Sequence, residues 1–148
     1  MNYLNDLAKT LDGYYVKTPA FPKGIKDFLF QIAPWLALVF GALAVLAGIS
    51  AFGTLSFLSP FAAMAGVRGF AFTAILSTII LIAQGVIELM AFSSLKAGKI
   101  KGWNLLYYSL ILSFVSSVIA LNMFSILSSV IGTLIGYYFL YQVKSYYK

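Results

Sequence analysis

The chain has no cysteine and no histidine in its 148 residues. Disulfides, thiolate nucleophiles and imidazole bases are therefore excluded, as are the commonest ligand sets for zinc, haem and iron–sulfur centres. Acids are almost as scarce: Asp6, Asp12, Asp27 and Glu88 are the only four. The three aspartates stand near lysines in polar stretches and read as solvated charges. The sequence shows no carboxylate dyad, nucleophile–base pair, phosphate-cradling glycine loop or metal-ligand spacing. The expectation is a protein that is not an enzyme and needs no cofactor or metal.

Charge of either sign is thin. Charged residues make up 9% of the chain, against 61% hydrophobic and 17% aromatic, whereas a soluble domain carries about a quarter charged. So few charges cannot cover a water-facing surface, and lipid is the solvent this composition fits. The net charge of +6 could point to nucleic acid, but the basic residues fall in short clusters at the ends of apolar runs. That is the pattern of headgroup anchoring, so no nucleic-acid partner is expected. Nor is there a basic region followed by an apolar core at the start, as a cleavable signal would need; insertion falls to the first spanning helix.

What the sequence does have is four apolar runs, each long enough for a hydrocarbon core of about 30 Å. The predicted spans are about 32–50, 69–92, 104–121 and 123–143. The fold class is an all-α integral membrane protein, a compact bundle of four transmembrane helices over residues 31–143. Before it, residues 1–30 form a cytoplasmic segment in which Tyr3, Leu4, Leu7, Ala8 and Leu11 recur at helical spacing. This predicts a short amphipathic helix closed by Gly13, lying on headgroups or packed on the protein's own loops. Pro19, Pro22 and Gly24 make a connector. Between the first two spans, Gly53, Ser59-Pro60 and Gly66 predict a short separate helix in the external loop. Asn122 marks a hairpin tip, and 144–148 is a cytoplasmic tail.

Four spans put both termini and the turn Lys96-Ala-Gly-Lys99-Ile-Lys101 on one side, leaving only Arg68 opposite. Basic loops face the cytoplasm, so the expected location is the cell membrane, multi-pass, with both termini cytoplasmic. Trp35, Trp103, Tyr107, Tyr108, Tyr141, Tyr146 and Tyr147 fall near the same boundary and are expected to form an interfacial belt.

Small residues predict the packing faces: Gly41 and Gly48 in the first span, Ser113 and Ser117 in the third, and Gly132-Thr-Leu-Ile-Gly136 in the fourth. Such residues let helices approach closely where lipid supplies no hydrophobic drive. They fit packing within the bundle, a homo-oligomer, or contact with other membrane proteins. In the second span Thr73, Ser77, Gln84 and Glu88 share one face. Intramembrane acids are costly and usually paired or functional. Glu88 is read either as an interfacial acid paired with a lysine such as Lys144, or as the mouth of an ion or proton path along Gln84, Ser77 and Thr73. Two functions follow: a non-catalytic assembly or interaction protein in the bilayer, or one subunit of an oligomeric channel or transporter.

Overall fold

The computed structural model describes residues 19–66, 70–119 and 123–148, together with Thr10 and Gly13. Among them all regular structure is helical and no strand occurs. Four helices follow one another: α1 (Lys23–Met64), α2 (Phe70–Lys96), α3 (Ile100–Ile119) and α4 (Met123–Gln142), closed by a 3-10 turn at Lys144–Tyr146. All four are long and apolar enough to cross a membrane, the make-up of a multi-pass membrane protein. Their outer faces carry exposed Phe40, Leu46, Ile49, Phe72, Phe124 and Leu127, a surface that water would not tolerate and acyl chains would. The expected N-terminal amphipathic helix, Arg68 and the Asn122 tip lie outside the described residues, except for Thr10 and Gly13, which are helical and exposed.

The first loop differs from expectation. No separate short helix forms after residue 50, because α1 runs unbroken for 42 residues with Pro34 and Pro60 inside it. At about 1.5 Å per residue that is roughly 63 Å, twice the hydrocarbon thickness. The cause is local. Between Ala51 and Met64 each peptide group finds its partner in the next helical turn, so continuing the helix leaves none unsatisfied. The hydroxyls join in: Thr54 Oγ1 donates to the Ser50 carbonyl at 3.0 Å and Ser56 Oγ to that of Phe52 at 2.9 Å. Pro60 removes one N–H but has helical φ, so the helix passes through it. It ends where Gly66 takes φ +76°, a left-handed conformation suited to glycine.

Helix α2 packs on α1 with backbone against backbone. A Cβ on Gly41 would stand 2.9 Å from the Gly85 carbonyl oxygen, and one on Gly85 would stand 2.7 Å from that of Gly41. Further along, Gly48 faces Ile82. At the other end of α2, Gly98 (φ +66°) turns the chain, with Lys99 N–H donating to the Ser94 carbonyl at 2.9 Å. Gly102, at the start of α3, then presses on Leu95 and Ser94. Gly85 and Gly102 are thus packing glycines that the small-residue repeats do not mark. Gly132 is a correction in the other direction. Among the described residues no atom beyond its own stretch of helix lies within 4 Å of where its Cβ would be, whereas Gly136 meets Leu110. Only one end of the Gly132–Gly136 motif turns toward α3. Ser117 Oγ donates to the Ser113 carbonyl at 3.0 Å, within its own helix.

The core lies at one end of the bundle, built from Ala37, Ala91, Leu95, Trp103, Tyr107, Tyr137, Leu140, Val143 and Tyr147. This corrects the expected aromatic belt. Trp103 and Tyr107 are only 3% and 4% exposed, while Trp35 and Tyr108 remain open to the surroundings. The buried rings stack: Trp103 on Tyr107 with centroids 5.6 Å apart, and Tyr107 against Tyr137 at 5.3 Å. Trp103 Nε1 donates to the Leu140 carbonyl at 2.9 Å, tying α3 to α4. Aromatic rings with a polar edge can fill such a core without stranding a donor. Tyr147 is the exception, since its hydroxyl is buried with no hydrogen-bond partner among the described residues, and burial pushes the phenol up to about 12.

The same end gathers the described lysines. Lys148 N–H donates to the Gly98 carbonyl at 2.9 Å, and its own carbonyl accepts from Ile100 N–H at 2.8 Å. Tyr146 donates to Asp27 at 2.5 Å, and Phe30 packs on Tyr146 and Tyr147. Asp27 is therefore not merely solvated; it anchors the start of α1 to the end of the chain. Phe21 and Pro19 are held on α4 through Gln142 and Tyr138. Lys23, Lys26, Lys96, Lys99, Lys101, Lys144 and Lys148 all belong to these joined segments.

Candidate functional site

Each helix packs on its neighbour in sequence: α1 on α2, α2 on α3 and α3 on α4. Among the described residues, α1 and α4 share no contact of comparable extent. The lysine-rich end is tied shut by Phe30, Tyr146 and Tyr147. Above that tie, a cavity of about 790 Å³ fills the seam.

Its walls are apolar. From α1 come Leu29, Ala33, Leu36, Ala37, Phe40, Leu43, Ala44 and Ala47; from α3, Leu106 and Leu110; from α4, Gly136, Phe139, Leu140 and Val143. Of the small residues of α1, Gly41 and Gly48 face α2, while Ala33, Ala44 and Ala47 line this space and leave much of it unfilled. Between Leu29 and Ala47 the groove runs about 27 Å along α1, nearly the depth of a hydrocarbon core.

Three polar side chains break the apolar lining: Gln84 and Glu88 from α2, and Ser109 from α3. They form one cluster. Ser109 Oγ donates to Glu88 Oε1 at 2.6 Å, and Gln84 Nε2 donates to the same oxygen at 3.2 Å. Ser109 is 2% exposed, so its hydroxyl is committed to this bond. Glu88 lies eight residues before Lys96, the last residue of α2. That is about 12 Å of helix, because the helix continues four residues past the predicted end of the span at residue 92.

Of the four residues predicted to share one polar face, Gln84 and Glu88 meet in the groove; Thr73 and Ser77 are not part of its wall. Thr78, the neighbour of Ser77, is buried and donates to the Ala74 carbonyl at 2.8 Å. The expected lysine partners of Glu88 sit elsewhere. Lys144 Nζ lies over the rings of Trp103 and Tyr141, 4.8 and 5.1 Å from their centroids. Lys96 Nζ lies over Trp35 and Phe92 at 5.7 and 5.9 Å. Cation–π contact of this kind holds ammonium groups at the interface. Among the described residues, no basic side chain forms an ion pair with Glu88.

Ser109 could have been found from the sequence. It begins the small-residue stripe continued by Ser113 and Ser117, but nothing in that stripe signals that its first member faces an acid on another helix. No protein-family profile, curated protein or solved structure matches this chain.

Proposed function

We propose that this is a non-catalytic binding protein of the cell membrane that takes an elongated apolar molecule into the seam between α1 and α4. It crosses the bilayer four times, with the lysine-rich end and both termini in the cytoplasm. The observation that carries this reading is the groove: about 790 Å³, within the roughly 300–1,000 Å³ of small-molecule sites, and lined as such sites are by apolar side chains with few polar groups. Its position between two helices that do not close on each other gives a membrane-dissolved molecule a way in from the side. The channel reading has less support, because the polar face stops at Gln84 and does not continue along the groove to Ser77 and Thr73.

The test is a neutral alkyl probe carrying a photoreactive group, applied to the protein in lipid nanodiscs. Crosslinks are expected to concentrate on Leu36–Ala44 and Gly136–Val143. Ala44→Trp, which fills the groove, is expected to cut that labelling about tenfold, a loss of about 1.4 kcal/mol in binding. Labelling spread evenly over outward residues such as Phe57 and Phe72 would refute the groove.

A further inference from the structure

We propose that Glu88 makes this groove selective for a lipophilic cation: an organic ammonium or phosphonium whose charge is wrapped in apolar groups. The inference rests on the groove reading above and adds the charge of the occupant.

Four observations lead there. The carboxylate lies about 12 Å of helix from the lysine end, where an isolated charge is expensive. Its two partners, Ser109 and Gln84, are both uncharged and both donate to Oε1; Oε2 accepts no hydrogen bond among the described residues. Two of the lysines at that end, Lys96 and Lys144, rest on aromatic faces. None of these contacts supplies a counter-charge to the carboxylate. A cation in the groove would supply it, and in apolar surroundings that attraction is several times stronger than in water.

The shape of the site narrows the cation further. A metal ion is a poor fit, because hard cations require six or more oxygen ligands and this wall offers one carboxylate, one amide and one hydroxyl. A phospholipid headgroup is also a poor fit, since it remains at the interface, whereas Glu88 has apolar wall on both sides: Leu29 and Val143 below, Ala44 and Ala47 above. What fits is a cation with hydrocarbon all around it. Phe40 and Phe139 also line the groove, and aromatic faces are the recurrent partners of weakly hydrated organic cations.

The experiment compares two ions of the same shape and opposite charge, tetraphenylphosphonium and tetraphenylborate. Each is bound to the full chain in uncharged maltoside micelles, with protein-free micelles subtracted. The expectation is one saturable phosphonium site per chain, at least about tenfold tighter than for the borate, and about tenfold weaker in Glu88→Gln. Equal binding of the two ions by the unsubstituted protein overturns the proposal, whether or not the Gln variant folds. So does full phosphonium affinity in a folded Glu88→Gln. If the neutral probe still labels the groove in those cases, only the charge assignment fails. If that probe finds no groove either, the binding reading fails with it.

Discussion

Replacing Gly85 with valine is expected to abolish the folded bundle or lower its stability by about 3 kcal/mol, at the upper end of overpacking costs. A Cβ at this position would stand 2.7 Å from the Gly41 carbonyl oxygen and 2.9 Å from the Val45 amide nitrogen. Both are backbone atoms of a regular helix and cannot swing aside as a side-chain tip can. The helices would have to separate, and in lipid their association depends on close packing rather than hydrophobic drive. The displacement would reach the site, because Glu88 is one turn along α2 and its Cβ lies 3.0 Å from where a Cβ on Gly41 would stand. Gly132→Val is the control. With nothing within 4 Å of its Cβ position, it should change stability by less than about 0.5 kcal/mol, as open surface sites do. Thermal unfolding of the two variants in one detergent separates them; equal loss in both would contradict the packing described.

Trp103→Ala is the second large effect, expected to cost about 3–5 kcal/mol. Three interactions are lost together. The indole is 3% exposed and stacks on Tyr107; its N–H satisfies the Leu140 carbonyl; and its face receives the Lys144 ammonium. Trp103→Phe keeps the ring and loses the hydrogen bond, so it should cost only about 1–2 kcal/mol. Chemical denaturation of the three proteins in micelles checks the order: alanine worst, phenylalanine between, tryptophan best. A Trp103→Ala protein as stable as the parent would mean that the indole faces lipid, as a belt residue would.

The contrast between belt and core shows where the sequence is informative. Apolar runs and terminal lysines are read directly, because bilayer thickness and the charge penalty act on each segment separately. Trp103 and Trp35 look alike in sequence; only the packing of α3 against α4 buries one and leaves the other open. Ser59-Pro60 has the same local chemistry at a helix start and inside a continuing helix, and only the helical turns on either side of it decide between the two. Gly85 belongs to no small-residue repeat within its own helix, so its match with Gly41 exists only once the helices meet. The groove is less legible still, since it depends on α1 and α4 failing to close. Glu88 and Gln84 were visible as an unusual pair; that their third member is Ser109, and not a lysine, is a property of the fold.

Both the bundle and its groove require four helices that cross a bilayer with the lysine-rich end on one side. Because the chain has no cysteine, single cysteines can be placed without background at the exposed positions Ala97, Ser145 and Ala63. A membrane-impermeant thiol reagent applied to intact cells should label Ala63→Cys and spare Ala97→Cys and Ser145→Cys until the membrane is opened. Labelling of Ala97→Cys and Ser145→Cys from opposite sides would contradict the four-span arrangement.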